Sequence, residues 1–343
     1  MRVWIDALTP KQLIFSGRLR KKLEERGHEV LLTTRDYHDA NYVVTRLALE
    51  AEVVGFHGGG GRERKLEASL KRSADLLRVV LERRPALALS FGSPEAARVA
   101  SGLGTPHWCV NDSPHSEWVG RLTVPLSELV FCPWVVPASA WSVYGLKRKR
   151  VRQYRALDPA AWLKDRGWWP PATDFERLSA GAILFRPPET QASYLRGRAA
   201  EGVELARTLS ERFPESRLIV LPRYAEQEEE YADAPGVTVA GEPFFGPNML
   251  RDCRLLVGGG GTMNAEAALL GVPAVSSYPG DPTYVDKYLV SRGLLHRGRG
   301  PADILRLALR LLTEDAGAKG ERELELMDDP AEFVAAAVDR GAA

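Results

Sequence analysis

Short apolar runs recur along the chain, each followed by a segment with helical spacing, and this alternation restricts the possible folds more than any other feature. Val3-Trp4-Ile5 reads as a buried strand stopped by Asp6. Residues 13–26 carry the apolar spacing of an amphipathic helix and end at Gly27, and 29–34 reads as the next strand. The pattern continues with a strand at 52–55, a helix at 65–83, a strand at 86–90, a helix at 94–101, a strand at 107–110 and an apolar run at 129–132. A strand that returns to its sheet through a helix lies parallel to its predecessor, and such sheets are covered on both faces. The fold class is therefore α/β.

A second series begins near residue 182. Strands are expected at 182–186, 218–222, 237–240, 255–257 and 273–276, with helices at 194–213 and from Thr262 to Leu270. A chain of 343 residues exceeds what one core usually supports, so the two series imply two Rossmann-like domains facing across a cleft. Between Lys147 and Ala180 the character changes, with Lys147-Arg148-Lys149-Arg150 and then Trp168-Trp169-Pro170-Pro171. That stretch reads as the linker, its basic run as a solvated face and its tryptophans as packing. The expected domains are 1–165 and 166–343, the final helix being able to pack back on the first. Ligands of such sheets bind beyond the carboxyl ends of the strands, so the loops there are where site residues are sought.

Composition removes several classes. Lys plus Arg number 46 against 45 for Asp plus Glu, which gives no basic field for nucleic acid. Cys109, Cys132 and Cys253 are far apart and form no CxxC pair, so neither a disulfide framework nor a zinc site is indicated. His57, His107 and His115 match no ligand spacing, and no metal is expected. The absence of a signal-like start or an apolar run of spanning length leads to an expected cytoplasmic location. Arg-rich and Glu-rich usage with few Met and Cys suits a thermophile.

Chemistry concentrates after Leu255-Leu256-Val257, where Gly258-Gly259-Gly260-Gly261 leads into Thr262-Met263-Asn264-Ala265-Glu266. Backbone at Gly259, Gly260 and Gly261 can approach a ligand closely, and the first amides of the helix form an anion site. No lysine stands at the Walker position, and no acidic residue stands at the distance a dinucleotide fingerprint requires. Glu266 is placed to accept from both hydroxyls of a ribose. A tight strand-to-helix turn with a favourable N-terminal carboxylate explains the same residues.

The run from Gly260 to Glu266, followed by Ala267-Ala268-Leu269-Leu270-Gly271-Val272-Pro273, resembles the nucleotide-sugar signature of GT-B enzymes. Among these are the peptidoglycan N-acetylglucosaminyltransferase and the non-hydrolysing UDP-N-acetylglucosamine 2-epimerases. The resemblance implies that Glu266 binds the ribose. Nearly end to end, the chain is similar to a largely archaeal family, domain of unknown function 354. Trp4-Ile5-Asp6, 25–30, Arg186-Pro187-Pro188-Glu189, Phe245-Gly246-Pro247-Asn248-Met249-Leu250 and Asp286-Lys287-Tyr288-Leu289 carry that likeness. It implies a GT-B-like fold and no established reaction.

Other candidates sit at expected strand ends. Arg186 and Arg223 suit a diphosphate, with Glu189 able to orient Arg186. Phe244-Phe245-Gly246-Pro247-Asn248 resembles a base-binding loop whose backbone amides are available to a uracil-like edge, and burial of both rings is the plainer reading. In the first domain Asn111-Asp112-Ser113-Pro114-His115 offers a carboxylate and an imidazole as general base, and an Asx-type turn is the plainer reading. Asp6 and Lys11 are expected to flank the same opening, with His57 before Gly58-Gly59-Gly60-Gly61 as a further acceptor-side element.

The resemblance ranks a metal-independent glycosyltransferase first, using a UDP-linked or other NDP-sugar as substrate, no separate cofactor, and a glycan or lipid-linked acceptor. Peripheral membrane contact through Trp134 or Trp141 is left open by that expectation, core packing being the plainer reading of both. A 2-epimerase is the alternative, because Phe91-Gly92-Ser93-Pro94 stands where those enzymes have an Asp and Phe185-Arg186 where they have a His-containing loop. A nucleotide-sugar-binding protein without turnover is the third reading.

Overall fold

The computed structural model describes residues 1–188, 199–313 and 318–342. It divides into two compact units, Met1–Trp168 with Met327–Ala343, and Trp169–Leu326.

Unit 1 opens with β1 (Arg2–Asp6), α1 (Pro10–Glu24), β2 (Glu29–Asp36), α2 (His38–Arg46), β3 (Glu52–Phe56) and α3 (Arg62–Arg83). Next come β4 (Leu87–Ser90), α4 (Pro94–Gly102), β5 (His107–Val110), α5 (Glu117–Thr123), β6 (Leu129–Pro133), β7 (Val151–Tyr154) and α6 (Ala160–Leu163). Its seven strands are ordered β3-β2-β1-β4-β5-β6-β7 and every pairing is parallel. Val3 lies opposite Val30 on one side and Leu87 on the other, so the apolar run is flanked by strands and wholly buried. Chain direction away from β1 reverses at the β1/β4 boundary, which is the switch point of this sheet.

Unit 2 contains α7 (Asp174–Arg177), β8 (Ile183–Arg186), α8 (Ala199–Arg212), β9 (Leu218–Val220), α9 (Ala225–Ala232), β10 (Val237–Val239) and α10 (Gly246–Arg251). It continues with β11 (Leu255–Gly258), α11 (Gly261–Leu269), β12 (Ala274–Ser276), α12 (Tyr284–Ser291), β13 (His296–Arg297), α13 (Pro301–Thr313) and α14 (Lys319–Glu325). The order is β10-β9-β8-β11-β12-β13, again all parallel, with the switch point between β8 and β11. Phe185, Leu209, Val220, Val257 and Leu307 meet in its core.

The last helix, α15 (Pro330–Ala342), belongs to unit 1 and packs on α1. Phe333 sets its ring edge-on to Phe131 at 6.4 Å and to Tyr154 at 6.1 Å. His28 reaches Asp339 at 2.7 Å.

Several elements escaped the apolar pattern, α2 and β7 among them. Helix α2 is nine residues long and buries only Ala40 and Val43. Strand β7 lies inside the stretch whose composition suggested a linker, directly after the exposed run Lys147–Arg150. Its sequence Val-Arg-Gln-Tyr buries only the first and last residues, since it closes one edge of the sheet. Farther on, Trp168 lies under the Arg18 guanidinium at 5.4 Å in unit 1, while Trp169 meets Phe245 at 6.2 Å in unit 2. Gly17 makes room for Trp168, because a Cβ there would lie 2.9 Å from its ring.

Candidate functional site

In unit 2 the switch point is built almost wholly of backbone. Gly258 ends β11 opposite Arg186 of β8, and the Gly259 N–H donates to the Arg186 carbonyl at 2.7 Å. Each glycine then has its own steric reason. A Cβ on Gly258 would fall 1.9 Å from Asn264 Oδ1, one on Gly259 2.4 Å from the Pro188 nitrogen, and one on Gly260 2.4 Å from Arg223 Nη2. Gly260 is the extended N-cap of α11 and brings no side chain to cap it. The first-turn amides at Gly261, Thr262 and Met263 precede any carbonyl of their own helix, which is the arrangement that receives anions. Asn264 is buried and donates to the Gly258 carbonyl at 3.1 Å, so its side chain shapes the loop.

Two guanidiniums are positioned by carbonyls beside this loop. Arg186 donates to Leu221 O at 2.9 Å and to Pro222 O, and lies over the Phe244 ring at 5.6 Å. Arg223 donates through Nε to Pro187 O at 3.0 Å. Gln227 secures the arrangement by accepting from the Arg223 N–H at 2.9 Å and donating to Pro188 O at 3.0 Å. Glu189, proposed from sequence to orient Arg186, lies outside the described residues.

Glu266 is 2% exposed, and its carboxylate faces Gly246, where a Cβ would stand 3.2 Å from Oε2. The neighbouring side chains are committed inward. The Phe245 N–H donates to Glu176 Oε1 at 2.7 Å, and Asn248 Nδ2 donates to Glu176 Oε2 at 2.9 Å and to Pro170 O at 3.0 Å. The Phe245 amide, expected to be available to a base, is thus taken by Glu176, and Phe245 and Asn248 act as the frame of the loop around the half-buried Gly246. Glu176, which sequence did not single out, holds that frame while its capping box with Thr173 starts α7.

A cavity of about 840 Å³ opens at the carboxyl ends of the same sheet, lined in part by Pro187, Pro188, Gln227, Ser277, Tyr278 and Arg297. Arg297 donates to Gly280 O at 2.5 Å and to Tyr278 O at 3.2 Å, ordering the loop after β12. Neither Ser277 nor Arg297 belongs to a motif, and nothing in the sequence marks them.

Unit 1 is chemically different. Asp6 is fully buried and is held by Arg72 at 2.6 and 3.0 Å, with Thr33 Oγ1 donating at 2.6 Å. Burial pushes its carboxyl up, but the Arg72 guanidinium outweighs this and holds it below the ordinary range. Arg72 also donates to Val54 O at 2.9 Å, so the pair ties α3 to β1 and β3. With no exposed surface, Asp6 is a structural ion and not the cleft base expected from its place at a strand end.

Lys11, in the first turn of α1, bridges Asp112 at 2.5 Å and Asp158 at 2.8 Å. Tyr154 donates to Asp158 at 2.5 Å. Burial pushes the Asp158 carboxyl up, and the Asp112 charge adds to that. Burial also works on Asp112, but Lys11 prevails and holds it low, while both carboxylates keep the Lys11 ammonium charged against burial. Asp112 and Lys11 retain a fifth to a quarter of their side-chain exposure, whereas Asp158 lies behind them at 3%. Ser113 Oγ donates to Asp112 at 2.7 Å, and Asn111 Oδ1 accepts from the Ser113 N–H in an Asx turn. His115 on this loop is exposed, and Tyr144 anchors the loop by donating to Pro114 O at 2.6 Å. Asp158 is 46 residues from Asp112 and outside any motif.

Two further expectations resolve structurally. His57 accepts from the Gly59 N–H at 3.2 Å and its ring lies tilted against Tyr37, 5.1 Å between centroids, so it shapes its own glycine loop. Trp141 is fully buried among Cys109, Val124 and Val130, which removes it from membrane contact, and Trp134 is half-buried. Among the described residues no helix is long and apolar enough to cross a membrane, and no group of three or more His, Cys, Asp or Glu is arranged to hold a metal ion.

A family model described as a protein of unknown function, DUF354, matches residues 1–341. An uncharacterized Methanocaldococcus jannaschii protein is 29% identical over 298 residues, covering 84% of this chain and 85% of that protein. Among solved structures, the chain is similar to the UDP-GlcNAc 2-epimerase of Methanocaldococcus jannaschii in complex with UDP-GlcNAc and UDP, with TM-score 0.76, 15% identity and coverage of 99% and 100%. It is also similar to the UDP-GlcNAc 2-epimerase of Neisseria meningitidis bound to UDP-GlcNAc, with TM-score 0.74, 14% identity and coverage of 100% and 99%. At such identities the likeness shows the fold, which is GT-B-like.

Proposed function

The chain belongs to the DUF354 family, and from that premise we propose that it is a nucleotide-sugar enzyme of the epimerising kind. The convergence of the α11 amide end, Arg186, Arg223 and the Glu266 carboxylate beyond one switch point carries the reading. Amides and guanidiniums suit a diphosphate, and a carboxylate beyond them suits a ribose diol.

Elimination removes the diphosphate from the anomeric carbon and a proton from the adjacent carbon; re-addition returns both, the proton to the other face. Nothing else is consumed. Asp112 and His115 are assigned the proton transfers, with Lys11 offsetting negative charge and Asp158 positioning Lys11. This reverses the order expected from sequence, where transfer stood first. The 2-epimerases in the solved complexes support the reversal at the level of fold.

Calorimetry with UDP, GDP, dTDP and their sugars tests the nucleotide site, and failure of all of them to bind overturns the proposal. Incubation with UDP-N-acetylglucosamine in D₂O tests the reaction. Deuterium in a sugar still linked to UDP supports epimerisation. UDP released only when an acceptor is supplied restores the transfer reading.

A further inference from the structure

Helix α3 has two apolar faces, and its own unit uses one of them. Ala68, Arg72, Leu76 and Val80 are buried against the sheet. Leu66, Leu70, Leu77 and Leu81 are 62%, 65%, 38% and 53% exposed. At about 100° per residue these four lie within roughly 60° of one another, so they form one solvent-facing stripe. Single exposed leucines are ordinary, but an aligned row over about four turns marks a contact surface.

The row is also a palindrome. Read from its midpoint between Ser73 and Ala74, Leu70 answers Leu77 and Leu66 answers Leu81. We propose that α3 pairs antiparallel with α3 of a second copy of this chain about a two-fold axis at Ser73 and Ala74. A two-fold contact demands self-complementarity, and this sequence has it. Each leucine meets a leucine, and the small residues at the axis let the two backbones approach. Charge follows the same symmetry. Glu67 and Arg78 lie on one flank of the stripe and come opposite each other across the axis. Arg78 is 79% exposed while it holds Asp75 at 2.8 Å, so it is available to a partner's carboxylate.

Sedimentation velocity and light scattering on the full chain provide the test. The wild type is expected to be a dimer, and Leu70→Glu/Leu77→Lys to be a monomer with an unchanged circular dichroism spectrum. Glu67→Lys and Arg78→Glu each weaken the dimer at least severalfold, and the two together restore it. Ser73→Cys links two chains on mild oxidation, the native cysteines being buried. A wild-type monomer at about 100 µM overturns the proposal, whether or not it sediments with anionic vesicles. A dimer indifferent to the leucine changes and without the Ser73→Cys cross-link also overturns it.

Discussion

Beyond the β1/β4 switch point of unit 1 lie paired ions, whereas beyond the β8/β11 switch point of unit 2 lie amide ends and arginines braced on carbonyls. The sheets share one winding rule and differ in what their loops carry. A parallel sheet thus sets where chemistry occurs, and the loop residues set which chemistry. Unit 1 keeps its charges by pairing them, and unit 2 presents donors whose charge or dipole suits an anion.

The contrast is most severely tested at Arg72. Arg72→Ala strands Asp6 in the core, and loss of a buried partner costs about 3–5 kcal/mol. Urea titration followed by tryptophan fluorescence reads unit 1 almost alone, because Trp169 is the one tryptophan of unit 2. Hydrogen exchange should find unit 2 protected where unit 1 has opened. Simultaneous loss in both would break the picture of two separately stabilised units.

Acid provides the next largest effect. His107 Nδ1 donates to Ser127 Oγ at 3.0 Å, since that hydroxyl gives its own proton to Thr123 O, and Ser90 then donates to Nε2 at 2.8 Å. Burial pushes this imidazole down to about 4 from the ordinary 6.5. A depressed value means the unfolded chain binds the proton first, so the stabilisation is full above about 6.5 and is lost as pH falls toward 4. The loss amounts to about 3 kcal/mol. Denaturation titrations at pH 7, 5.5 and 4 should show it in unit 1, and His107→Gln should flatten the slope. An unchanged slope in that variant would assign the acid sensitivity to other groups.

Ligand affinity sharpens the division of labour. Arg223→Ala is expected to weaken UDP about 10–100-fold, the worth of hydrogen bonds from a charged donor. Asp112→Asn should leave UDP affinity within about twofold while abolishing turnover. Equal weakening by both would mean that nucleotide binding is not confined to unit 2. The smallest effect is assigned to His115→Asn. Its exposed position predicts a stability change within about 0.5 kcal/mol, measured by thermal melting, alongside reduced turnover.

Legibility in the sequence followed distance along the chain. Gly258 to Glu266 are contiguous, so their spacing can be weighed directly against the phosphate-binding loops of other folds. Asp112 and Asp158 come from two separate loops and Lys11 from the first turn of α1, and Arg72 reaches Asp6 from mid-helix, so no motif joins them. Strand β7 was obscured because an edge strand needs little apolar surface, and α2 because it buries only two side chains.

The sequence by itself determined the α/β class and the glycine-led turn into α11, because both rest on local periodicity and backbone freedom. It also determined family membership over nearly the whole chain. Only the tertiary structure decided that Asp6 is a buried structural ion, that Phe245 and Asn248 are framework, and that Lys11 bridges two carboxylates. Those roles depend on burial and on partners distant in the chain, and neither is encoded in neighbouring residues.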